Sequence, residues 1–82
     1  MKAIINIYLK KGVLDSQGKA VHHALDSLGF GDSISDVRIG RQIILQLKSK
    51  TEDEAKVETT KMCEELLANT VIEDYEIEIL DV

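Results

Sequence analysis

Cys63 is the only thiol in the 82-residue chain, and His22 and His23 are its only imidazoles. A nucleophilic cysteine needs exposure, a base nearby and a site that lowers its pKa, such as a helix start. Cys63 instead falls in mid-helix on an apolar stripe, between Met62 and Glu64, and the pattern predicts a buried structural role. His22 and His23 are adjacent, so on a helix their side chains diverge by about 100° and cannot chelate one ion together. His22 and Asp26 are spaced i, i+4, which is a weak two-ligand signal. Carboxylates are plentiful, but no pair is set in an apolar run that would push their pKa values apart. Gly29-Phe30-Gly31 lacks the preceding strand and immediately following helix of a phosphate-cradling loop. These residues predict no catalytic group, no resident cofactor and no metal ligands.

Composition narrows the function further. One cysteine excludes a disulfide scaffold. A net charge of −5 with two tyrosines, one phenylalanine and no tryptophan argues against nucleic acid, both as a phosphate binder and as a base-stacking platform. No apolar run approaches the ~20 residues of a membrane span, and the amino terminus reads as a strand rather than a signal peptide. The expectation is one domain over residues 1–82, in the cytoplasm, with a core thin enough for two layers.

The elements that must position any site follow from periodicity. Ala3, Ile5, Ile7 and Leu9 alternate with Ile4, Asn6 and Tyr8, which predicts a strand over 3–9. Asp15 is an N-cap candidate, Ala20, Val21, Ala24, Leu25 and Leu28 form one helical stripe, and Gly29 and Gly31 supply a stop; a helix is predicted over 16–28. Val37 and Ile39, then Gly40-Arg41, then Ile43, Leu45 and Leu47 predict strands near 35–39 and 42–48 joined by a tight II′ turn. Thr51 with Glu54 forms a capping box for a helix ending near 67, whose face carries Ala55, Thr59, Met62, Cys63 and Leu66. Tyr75, Ile77 and Ile79 mark the last strand. The order βαββαβ predicts a two-layer α+β fold: a four-stranded antiparallel sheet, strands 3–9 and 43–47 central, both helices on one face, as in ferredoxin-like domains.

Two features go beyond that layout. The sheet face opposite the helices would carry Ile4, Asn6, Tyr8, Arg38, Gln42, Ile44, Gln46, Glu76, Glu78 and Leu80. Ile4, Tyr8, Ile44 and Leu80 make it apolar enough to predict contact with another copy or a partner. Charge is also divided along the chain: residues 1–51 carry +4 and residues 52–82 carry −9. Basic Lys10, Lys11, Arg38 and Arg41 stand against acidic Glu64, Glu65, Glu73, Asp74, Glu76 and Glu78, an arrangement that steers docking.

One stretch is more specific than the fold requires. Leu9-Lys10-Lys11-Gly12-Val13-Leu14-Asp15-Ser16-Gln17-Gly18-Lys19-Ala20 leads an extended segment into a capped helix. With Ala24-Leu25, Leu28-Gly29-Phe30, Val37-Arg38-Ile39-Gly40-Arg41 and the run Met62 to Tyr75, it resembles the PurS family, the small subunits of phosphoribosylformylglycinamidine synthase. Order, spacing and length agree over nearly the whole chain. Ser16 and Thr70 stand where the family usually has proline, which puts local stiffness in question rather than family membership.

The resemblance implies a PurS-like variant of the βαββαβ fold and a role in the fourth step of purine synthesis. It implies two partners: a PurQ-type glutaminase that releases ammonia, and a PurL-type synthetase in which ATP and magnesium drive ligation. The small subunit would join them, forming a homodimer or homotetramer and helping ammonia cross shielded from water. Residues 10–18 and 69–75 are then the expected partner contacts, through Lys10, Lys11, Gly12, Asp15, Gln17, Gly18, Asn69, Glu73 and Tyr75, because the signature concentrates in loops. Two other readings share the layout. A ligand-sensing module of the ACT type would bind a free amino acid between copies. An acylphosphatase-like enzyme would need a phosphate loop with an arginine before the first helix, where this chain has only Lys10 and Lys11.

Overall fold

Alternation of β-branched residues builds the centre of the molecule. In a computed structural model describing residues 1–81, β1 (Lys2–Leu9) buries Ala3, Ile5 and Ile7 on one face. β2 (Gly40–Gln46) and β3 (Glu73–Leu80) flank it, both antiparallel, in the order β2-β1-β3. Ile5 sits in register with Ile43 on one side and Ile77 on the other. α2 (Glu52–Met62), prolonged by a π turn over Cys63–Leu67, packs on β3 and β1 through Ala55, Thr59 and Cys63. The buried cluster is small: Ile5, Ile7, Cys63 and Ala68, with Ile43, Leu45, Leu67, Tyr75 and Ile77 packed around it.

Among the described residues the sheet has three strands, which corrects the expected four. Residues 35–39 join no ladder, and Gly40 is the first residue of β2, opposite Tyr8, rather than the corner of a hairpin. The backbone of that segment is engaged elsewhere: Ile39 N–H donates to Asp15 Oδ2 at 2.7 Å. The Arg38 guanidinium, expected on the outer sheet face, donates instead to the Lys10 and Val13 carbonyls at 3.2 and 3.1 Å. With no fourth strand, β2 becomes an edge, so only β1 of the two strands expected at the centre is central.

The first helix is also displaced from its expected place. α1 (Ser16–Leu25) runs on through a π turn, Asp26–Phe30, in which Gly29 takes φ 100° and breaks the helical path. Gly29 therefore provides the stop, whereas Gly31 keeps a helical φ of −55°. α1 does not lie on the sheet beside α2; with the segment that returns from it, it forms an arm. The radius of gyration is 16.2 Å, with extents of 49 × 28 × 14 Å, against about 12 Å for a compact domain of this length. Of the stripe expected to be buried, Val21 and Leu28 are exposed, as are Met62 and Leu66 on α2.

The two positions where the family usually has proline can be located. Ser16 is the first helical residue after Asp15, and Thr70 follows Asn69, whose carbonyl accepts from Ile72 N–H at 3.0 Å in a turn. N1 of a helix and the second residue of a turn both suit proline, and neither amide donates a hydrogen bond among the described residues. Ser16→Pro and Thr70→Pro are expected to stabilise the chain by about 0.4–1 kcal/mol each through the unfolded state. Urea denaturation curves with unchanged slope and raised midpoints check this.

Candidate functional site

The loop after β1 is fixed residue by residue. Val13 N–H donates to the Lys10 carbonyl at 3.1 Å, and Gly12 supplies the turn with φ 86°, a conformation that disfavours side chains. Asp15 then caps α1: its Oδ1 accepts from Gly18 N–H at 2.7 Å while its Oδ2 accepts from Ile39 N–H. These two amides, Ile39 first, hold the Asp15 carboxyl below its usual pKa. Gly18 is buried, and a Cβ there would meet the Val37 carbonyl oxygen. The outgoing and returning segments of the arm are thus tied together at its base.

The second loop meets the first. Lys10 N–H donates to the Ile72 carbonyl at 2.9 Å, and Lys10 Nζ stands 3.9 Å from Asp74. Glu73 gathers this end of the sheet. It takes a two-point contact from the Arg41 guanidinium and accepts from Asn69 N–H at 2.7 Å, and Arg41, ahead of that amide, keeps its carboxyl below the usual range. Arg41 also donates to the Leu67 carbonyl at 2.6 Å, closing the end of the second helix. Tyr75 O–H donates to Glu64 at 2.7 Å, which pushes its pKa up to about 12.

Two shallow cavities flank this junction and share Tyr8 and Glu73. One, of about 240 Å³, also touches Asp15, Gln17 and Arg41; the other, of about 400 Å³, also touches Lys10, Glu64, Asp74 and Tyr75. The residues expected to contact partners therefore gather at one end of the sheet. They divide by role there: Asp15 and Gly18 face inward and brace the arm, whereas Lys11, Gly12, Gln17 and Asn69 are exposed. Arg38, Arg41 and Glu64 also belong to this end, although the sequence marked them by charge and not as contacts of these loops. Their signal lay in the signature itself, which includes Val37 to Arg41 and Glu64.

The residues that could do chemistry alone are placed apart from this end or out of reach. Cys63 is fully buried, and burial followed by the neighbouring Glu64 raises its thiol pKa. His22, His23, Lys19 and Asp26 line a shallow surface hollow on the arm. Among the described residues, no three His, Cys, Asp or Glu side chains come together to hold a metal ion, and no helix is long and apolar enough to cross a membrane. On the outer sheet face Ile4 and Ile44 are register partners. Ile44 and Tyr8 are exposed there, while Ile4 and Leu80 are half-buried.

The family model described as PurS, phosphoribosylformylglycinamidine (FGAM) synthase, matches residues 2–81. The chain belongs to the PurS family. It is 46% identical over 81 residues to the PurS subunit of Bacillus subtilis, covering 99% of this chain and 94% of that one. The Methanocaldococcus jannaschii PurS subunit is 41% identical over 78 residues, covering 95% and 93%. The crystal structure of M. jannaschii PurS superposes with a TM-score of 0.89 at 40% identity, covering 99% and 96%. A chain of the PurLQS structure from Thermotoga maritima superposes with a TM-score of 0.86 at 30% identity, covering 96% and 95%. PurS membership leaves the ACT-type and acylphosphatase readings without support.

Proposed function

We propose that this chain is the small, non-catalytic subunit of phosphoribosylformylglycinamidine synthase, a glutamine- and ATP-dependent ligase complex of purine biosynthesis. It bridges a PurQ-type glutaminase and a PurL-type synthetase and assists the passage of ammonia between them, working as a homodimer or homotetramer in the cytoplasm. The observation that carries this reading is the end-to-end likeness to PurS chains, one of them from a PurLQS structure. ATP and magnesium belong, in this reading, to the synthetase subunit. The exposed residues Lys11, Gly12, Gln17 and Asn69 form contacts with the larger subunits, together with the half-buried Lys10 and Tyr75. Asp15, Gly18 and Glu73 act beneath them by holding both loops in place. The outer face with Ile4, Tyr8, Ile44 and Leu80 serves contacts between copies.

Reconstitution with the two larger subunits tests the assignment. Glutamine-dependent synthesis is expected to fall to background when this chain is omitted, while synthesis from added ammonia persists. Undiminished glutamine-dependent turnover without it would overturn the assignment. Lys10→Glu with Lys11→Glu should weaken assembly by roughly tenfold, since each exposed ion pair is worth up to about 1 kcal/mol. The isolated double variant should melt like the parent, and unchanged assembly would remove these lysines from the interface.

A further inference from the structure

Two arginines on one short segment hold the two loops that meet at this end of the sheet. Arg38 and Arg41 stand three residues apart where the chain enters β2. The Arg38 guanidinium donates to the Lys10 and Val13 carbonyls, in the loop after β1. The Arg41 guanidinium takes the other loop, gripping Glu73 and donating to the Leu67 carbonyl, the two residues that bracket the turn carrying Val71. Arg41 and Glu73 belong to the flanking strands, opposite Ile7 and Leu9 of β1, so their contact passes over the central strand. The residues between the arginines are fixed as well. Ile39 N–H is bonded to Asp15, and a Cβ on Gly40 would stand 2.7 Å from the Ile7 carbonyl oxygen. Each loop so held carries an apolar side chain out to solvent, Leu14 at 65% exposure and Val71 at 82%. Neither serves the chain's own core, and apolar tips on braced loops are suited to a partner's recess.

We propose that Arg38 and Arg41 are positioning residues for assembly: they set the spacing between the two loops so that Leu14 and Val71 enter apolar recesses on the same larger subunit. Fixed spacing matters only to a partner that reads both loops at once. The sequence presents these arginines as docking charges, but their bonded donors point at the chain's own carbonyls and at Glu73. The two roles differ in kind. A docking charge acts at long range and weakens with salt, whereas a clasp acts through geometry and does not. Its geometry also requires the guanidinium fork, which a lysine ammonium cannot copy. This inference rests on reading both loops as contacts with the larger subunits, and it names what holds them for that contact.

The Kd of the chain for the two larger subunits together tests it. Arg38→Ala and Arg41→Ala should each weaken binding roughly tenfold, with circular dichroism unchanged. The pair should cost about 20-fold rather than about 100-fold, since one misplaced loop already spoils the spacing. Arg38→Ala should also remove most of the effect of Leu14→Ala, and Arg41→Ala most of the effect of Val71→Ala. Arg38→Lys keeps the charge and the stem, so it reads the same contact if the alanine variant loosens the arm. It should bind no better than Arg38→Ala, at low salt and high salt alike. Hydrogen exchange should quicken at the Val13 amide in Arg38→Ala and at the Asn69 amide in Arg41→Ala, with β1 still protected in both. Rescue by lysine, a loss that fades at high salt, or strictly additive effects would overturn the clasp while leaving the loops as contacts. Binding unchanged in Leu14→Asp with Val71→Asp would remove the loops from the interface, and the clasp with them. Omitting the chain from the turnover assay decides the subunit role separately.

Discussion

Substituting Gly18 by valine is expected to detach the arm from the end of the sheet while leaving the three strands and α2 folded. A Cβ at this position would lie 2.4 Å from the Val37 carbonyl oxygen and 2.8 Å from Asp15 Oδ2. Both neighbours are held, Val37 by the bond that the Ile39 amide, two residues on, donates to Asp15, and Asp15 by its own role as cap. The helix start and the returning segment must therefore separate. Forcing bulk into such a contact costs about 1–3 kcal/mol, and the cost falls on the arm because α1 makes little contact with the sheet. Hydrogen exchange at residues 18 and 39 should accelerate, while β1 and β3 amides keep their protection. In the reconstituted complex, glutamine-dependent turnover should fall about tenfold or more, with ammonia-dependent turnover unchanged. Native exchange rates at both amides would show that the close approach is not needed.

Acid provides an independent handle on the same contacts. Asp15 has a carboxyl pKa lowered from 3.8 by the Ile39 and Gly18 amides, so the folded arm favours the ionised form. Its contribution is complete above the unfolded value and is lost as pH falls through the lower folded value. Loosening of the arm at low pH should therefore vanish in Asp15→Asn, which cannot titrate.

Local rules carried some elements and failed at others for identifiable reasons. β1, the apolar half of β2, β3 and α2 were legible because each has its own period and a face that some other element covers. Asp15 as N-cap and Thr51 as acceptor from Glu54 N–H, at 3.2 Å, were legible from residue type. The strand over 35–39 was not, because alternation of Val37 and Ile39 records side-chain preference and not the destination of the backbone donors. That destination, Asp15, lies 24 residues away. The burial of α1 was misjudged for a related reason: an amphipathic stripe marks a face that gains from being covered, but does not say that the chain's own sheet lies within its reach. At the site, the signature marked both loops. Their meeting through Lys10 and Ile72, and the closure by Arg41 on Glu73 and Leu67, are long-range bonds that spacing cannot show.

Replacing Ile7 by alanine is expected to remove much of the stability of the subunit. Ile7 is 1% exposed, sits opposite Arg41 and Tyr75 in the central strand, and is one of four residues in the buried cluster. A buried isoleucine cut to alanine costs roughly 2–5 kcal/mol in transfer and cavity terms. A domain of this size has only about 4–12 kcal/mol to lose. No second core layer stands behind Ile7 to collapse into the gap, since α1 is away from the sheet, so the cost should fall in the upper half of that range. Ile44→Ala makes the same chemical change on the outer face of the adjacent strand, where the side chain is 52% exposed, and should cost no more than about 0.5 kcal/mol in a lone protomer. Because association stabilises the folded protomer by mass action, the melting temperature of Ile7→Ala should rise with protein concentration. Urea midpoints and melting curves at several concentrations decide the matter. If Ile7→Ala and Ile44→Ala shift the midpoint equally, the core is not where burial places it; if the melting temperature ignores concentration, the protomer stands without a second copy.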